Sequence, residues 1–248
     1  MAGGRQLGAG LLAALGLLAA CAKKPETLQT ADLSIYMPAA FKTAFGAQDT
    51  APHDVTIKGK PVTMQFSPHL LVDIGGNRAA LISTGASADC QDCGGAIAVH
   101  YMQRDNGEFR VVGQWFDLAP SAGSGDPPTA QTRTDLFDHT ALQLEAVDRM
   151  QGCTFSTANV YELEPTGPAL RAKDIVMMRD NIAMGALRRG VQVDDYANVL
   201  PEKKGRSFLV QYHGTLPGDL HFSPGPNGVW TSVGNIKLPD CWGLAPTP

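Results

Sequence analysis

The stretch Ala96-Ile97-Ala98-Val99-His100-Tyr101-Met102-Gln103-Arg104-Asp105-Asn106-Gly107-Glu108-Phe109-Arg110-Val111-Val112-Gly113-Gln114-Trp115-Phe116 decides the fold. Two runs with β-branched and aromatic residues flank Asp105-Asn106-Gly107. Asn-Gly supplies the positive φ angles that a tight hairpin turn requires. Strands are therefore expected over 96–103 and 108–116. The same punctuation recurs upstream. Stretches 55–58 and 62–66 flank Gly59-Lys60-Pro61, and 69–74 and 79–84 flank Gly75-Gly76-Asn77. Downstream, strands are expected at 141–147, 155–163, 172–178, 207–213, 220–223 and 229–233, with Asn227-Gly228 marking another tight turn. Residues 38–45 read as one short helix, because Pro38 is tolerated at a first helical position. The stretch 188–200 fits strand and helix equally. The expected class is mainly β: an antiparallel hairpin meander, sandwich- or barrel-like, with few short helices.

Composition agrees. Among 248 residues there are 27 glycines and 17 prolines, and only 18% are charged. That balance favours short strands and many turns over long helices. At 44% hydrophobic residues the chain is too apolar to stay unfolded. A formal charge of −4 with no basic stripe argues against a nucleic-acid partner. The low-complexity run from Pro120 to Thr129 is a long loop, and 119–135 is a candidate division between two subdomains.

The N-terminus carries an address. Arg5 is followed by an unbroken run of Leu, Ala and Gly from Leu7 to Ala20. A charged start, a short apolar run and small residues before a cleavage point describe a secretory signal. As a helix, 14 residues reach roughly 21 Å, short of a hydrocarbon core of about 30 Å. Leu18-Ala19-Ala20-Cys21 resembles the lipobox of bacterial lipoprotein precursors. The resemblance implies cleavage before Cys21, diacylglycerol on its thiol and often an acyl chain on the new amine. Two acyl chains suffice for stable anchoring. Ala22 rather than Asp after the cysteine leans towards the outer membrane, facing the periplasm. The implied organisation is a signal peptide at 1–20, a lipidated tether at 21–30 and a β-rich domain at 31–248. The processed chain of 228 residues would carry 19 basic and 24 acidic residues, a charge of −5.

Four cysteines then remain: Cys90, Cys93, Cys153 and Cys241. An even number in an oxidising compartment points to two disulfides, with three connectivities open. Cys90–Cys93 with Cys153–Cys241 is the favoured pairing. Cys90-Gln91-Asp92-Cys93 also invites a redox reading, but Asp92 would raise the thiol pKa values, and Gly94-Gly95 leads into a strand rather than a helix. A zinc reading lacks a compact second cysteine pair. No metal, no cofactor and no catalytic residue is assigned.

Other motifs have plain readings. Ser83-Thr84-Gly85-Ala86-Ser87 resembles the Asp-Thr-Gly loop of aspartic proteases, but Ser83 stands where the carboxylate must be. Asp219, His221 and Ser223 alternate with Leu220 and Phe222, as the polar face of a strand does. His53-Asp54 and Asp138-His139 are adjacent pairs, which on strands point to opposite faces. His100 and His213 read as satisfied core or edge residues, and Trp115, Trp230 and Trp242 as core packing. Residues 71–82 resemble the aspartate–glycine loop and strand of FG-GAP and VCBS repeats. They keep Asp73 without the further acids that calcium needs. Residues 68–116 resemble parts of uncharacterised proteobacterial secreted proteins. The expected role is a lipid-anchored envelope protein with a non-enzymatic binding or structural function. The alternatives are a thiol-active or other enzyme using Cys90 and Cys93, and a small-ligand or glycan binder using the tryptophans or the 120–129 loop.

Overall fold

The computed structural model describes residues 33–57, 59–87, 94–105, 107–116, 118, 127–150, 152–182, 192–234 and 236. Cys21, Cys90, Cys93, Cys241 and Trp242 lie outside the described residues, as does the 119–126 part of the expected loop. Among the described residues the fold is mainly β, with two antiparallel sheets and one short α-helix.

The first sheet holds β1 (Ala51–Ile57), β2 (Lys60–Gly75), β3 (Arg78–Ala86), β4 (Ala96–Asp105) and β5 (Glu108–Trp115), side by side in chain order. The second holds β6 (Thr129–Arg133), β7 (Ala141–Met150), β8 (Cys153–Glu164), β9 (Gly167–Asp180), β10 (Asp194–Lys203), β11 (Ser207–Gly214), β12 (Gly218–Pro224) and β13 (Trp230–Val233), again in chain order. Each strand thus pairs with its sequence neighbour, as local turn chemistry demands. Asp105 pairs with Glu108 across a turn whose Gly107 sits at φ +88°. That left-handed geometry suits glycine.

Three local readings change, the first being that Thr129–Arg133, inside the expected 119–135 loop, forms β6 against β7. The strands expected at 62–66 and 69–74 are one 16-residue strand, β2. Its first half pairs with β1 and its second with β3, and the register shift between Pro68 and Leu70 absorbs the interruption. The ambiguous stretch before Leu200 contributes β10, held by β11 along most of its length.

Alternation sorts the side chains into three cores. On one face of the first sheet, Met64, Phe66, Leu81, Ala98 and Met102 pack under α1 (Met37–Phe45), which buries Ala40 and Phe41. Gly46 ends this helix in a left-handed conformation, its N–H donating to Lys42 O at 2.8 Å. The opposite face presents Ile82, Ile97, Val99 and Tyr101 to Leu142, Leu144, Tyr161 and Leu163 of the second sheet. With both faces covered, β4 is buried without a break from Ala96 to Met102. Beyond this sandwich the second sheet curls into a half-barrel. Its interior is Ala158, Val160, Ala172, Val210, Phe208, Phe222 and Trp230, closed by Phe137. Burying each large apolar side chain contributes roughly 1.5–3 kcal/mol. Among the described residues no helix is long and apolar enough to cross a membrane.

Candidate functional site

Ala158 and Val160 point from β8 into the half-barrel. Period-2 alternation carries the same face on to Glu162 and Glu164. Charges therefore stand where the apolar interior reaches its end. Opposite them, β9 carries a bulge. Val160 pairs with Ala172 and Tyr161 with Leu170, so Arg171 is an extra residue on its strand. A bulge re-aims a side chain, and here Arg171 turns to the two glutamates although its neighbour Ala172 also faces the interior.

The network is dense. Arg171 Nε donates to Glu162 Oε2 at 2.8 Å, and Nη2 approaches the same oxygen at 2.7 Å. Nη2 also donates to Glu164 Oε1. Glu162 Oε1 accepts the His139 backbone N–H and His139 Nδ1, both at 3.0 Å. An ionised carboxylate only accepts, so Nδ1 carries the proton and Nε2 is the ring nitrogen left over. Burial, the largest influence on Glu162, pushes its pKa up. The His139 backbone N–H, the His139 ring and Arg171 together outweigh it and hold the carboxyl below its ordinary value.

These side chains line a cleft of about 360 Å³. Phe137, Asp138 and His139 come from the bend before β7, and Glu162, Glu164 and Arg171 from the β8–β9 hairpin. Pro224, Gly228 and Trp230 come from the β12–β13 hairpin, and Gly205 from the turn between β10 and β11. The Trp230 ring stacks on Phe208 and meets Phe137 edge-on, which fixes the apolar wall.

The residues singled out in the sequence are scattered. Asp138 and His139 lie in a bend rather than a strand, so both reach the cleft instead of opposite faces. His100 is buried as expected, but among the described residues its Nδ1 has no hydrogen-bond partner. It lies against Phe45 and Phe116 beneath the end of α1. Burial, helped by His53, lowers its pKa to about 4. Ser83 is fully buried inside β3, and Gly85 beside it leaves room for the Phe66 ring. Asp219, His221 and Ser223 share the exposed face of β12, where His221 Nδ1 meets Glu202 Oε1 at 2.9 Å. Asp73 Oδ1 accepts the Gly75 N–H at 2.8 Å, a turn-forming contact. Trp115 and Trp230 both pack in cores. Cys153 is buried and disulfide-bonded. Among the described residues no three His, Cys, Asp or Glu side chains could hold a metal ion.

Glu162, Glu164 and Arg171 were not singled out in the sequence. Their one signal is Val160-Tyr161-Glu162-Leu163-Glu164, where carboxylates occupy the inward positions of an alternating strand. Comparison of the chain with protein-family models, curated proteins and solved structures yields no match.

Proposed function

We propose that this chain is a lipid-anchored protein of the bacterial envelope, held at the outer membrane on the periplasmic side, with a non-enzymatic binding role. The cleft between the β8–β9 and β12–β13 hairpins is its ligand site. The observation that carries this reading is the state of Glu162. Its carboxyl is held ionised, and both its oxygens are engaged by Arg171 and His139. A general acid needs the opposite shift, and a general base or nucleophile needs an oxygen free of partners, whereas each Glu162 oxygen already has two. A carboxylate locked in this way instead presets the side chains around it. The cleft volume falls at the lower end of the range for small-molecule sites. Anchoring rests on the lipobox at Leu18-Ala19-Ala20-Cys21.

Two measurements test the two halves. Calorimetric titration with small polar molecules should give saturable heats that Glu162→Gln and His139→Ala abolish while both variants stay folded. Binding that survives both substitutions removes the cleft from the reading. Cys21→Ser should leave the precursor unprocessed or release it to the soluble fraction. Normal processing with membrane retention would defeat the anchoring half.

A further inference from the structure

We infer that the cleft selects a small molecule bearing a primary ammonium group. This rests on the cleft being the ligand site. The donors that face the carboxylates already have acceptors. Arg171 Nε and Nη2 are taken by Glu162 and Glu164, and the His139 N–H and Nδ1–H are taken by Glu162. Arg171 Nη1 faces the Gly228 carbonyl at 3.5 Å.

What remains is acceptor surface. Asp138 makes no hydrogen bond or ion pair among the described residues, and its carboxylate lies over Gly205. A Cβ on Gly205 would stand 3.1 Å from Asp138 Oδ1, so the glycine leaves that carboxylate its space. The neutral imidazole that donates from Nδ1 offers Nε2 as an acceptor. Glu164 keeps its second oxygen.

Charge points the same way. Asp138, Glu162 and Glu164 stand against Arg171, a formal −2 from these four side chains. An anionic ligand would meet the repulsion of that net negative charge. A neutral hydroxyl would satisfy one acceptor at a time. An ammonium brings N–H donors together with the missing positive charge. Phe137, Pro224 and Trp230 provide an apolar side for the carbon body. The acceptors come from separate segments around an open cleft, and no three metal-ligating side chains converge among the described residues, so an organic cation fits better than a metal ion.

The test is calorimetry on the full processed protein at low salt. Ethanolamine, putrescine and glucosamine are each compared with their neutral counterparts ethylene glycol, butanediol and glucose. At least one ammonium probe should bind roughly ten-fold tighter than its neutral partner. Added salt should weaken it. Asp138→Asn, at an exposed residue without hydrogen bonds, should erase the preference while leaving the unfolding midpoint in place. Equal binding within every pair overturns the ammonium inference and leaves the ligand site standing. If no probe of either kind binds at millimolar concentration, both fall. An ammonium preference that survives Asp138→Asn also overturns the assignment.

Discussion

Gly167, the first residue of β9, lies directly against the indole of Trp115 at the end of β5. A Cβ built on Gly167 would stand 2.7 Å from Trp115 Cζ2. Gly113 presses on the same ring from within β5, where a Cβ would come to 2.6 Å of Cη2. Tyr101 meets the ring edge-on at 4.8 Å. The indole thus joins the first sheet to the β8–β9 hairpin, the hairpin that carries Glu162, Glu164 and Arg171.

Gly167→Ala should therefore cost about 2 kcal/mol, through overpacking against Trp115 and through a φ of +147° that a side chain resists. Urea unfolding followed by Trp fluorescence measures it. An unchanged midpoint would mean that the hairpin moves freely away from the indole.

His100 makes the fold acid-sensitive. Its pKa is lowered from 6.5 to about 4 by burial first and His53 second. The unfolded chain then takes up the proton first as pH falls. Stability is undiminished above pH 6.5, declines through the interval down to about 4, and levels off below it. At ~1.4 kcal/mol per pH unit the total is about 3.5 kcal/mol. His100→Phe should flatten that part of the stability–pH curve. A curve that keeps its slope over the interval would locate the sensitivity elsewhere.

Glu162→Gln tests the ion-pair network. The change removes a charged acceptor from His139 and Arg171, at a cost of about 2 kcal/mol near neutral pH. Linkage gives a second sign. A carboxyl held below its ordinary value adds stability that is complete above the unfolded pKa and disappears as pH falls through the folded one. The wild-type protein should lose this share below about pH 4, and the glutamine variant should not. Parallel curves for the two proteins would show that Glu162 is not held ionised by its partners.

Cys153 is 2% exposed and disulfide-bonded. Alkylation of the native protein without reductant should leave it unlabelled. Cys153→Ala should lower stability by about 2–4 kcal/mol. Labelling at Cys153 before reduction would contradict the bond.

Hairpins were legible in the sequence because their causes are local. Gly75-Gly76-Asn77 takes positive φ at all three residues and joins β2 to β3. The helix starting beside Pro38 and the exposed polar face at Asp219, His221 and Ser223 follow from spacing alone. The separate strands expected at 62–66 and 69–74 are one, because a register shift absorbs Pro68 inside a single long strand. His100 is a different case. Its apolar surroundings announce burial, but whether a partner reaches Nδ1 depends on which rings α1 and β5 bring over it.

What the sequence by itself determined is the class of fold and the order of hairpins, since turn chemistry and period-2 alternation act over a few residues. Only the tertiary structure decided the cleft. Its parts at 137–139, 162–164, 171, 205 and 224–230 meet because the second sheet curls, and curling sums small twists and bulges over eight strands. The bulge at Arg171 shows the physical reason most plainly. One extra residue on β9 turns the guanidinium towards Glu162, and nothing in the local sequence of either strand specifies the register that does it.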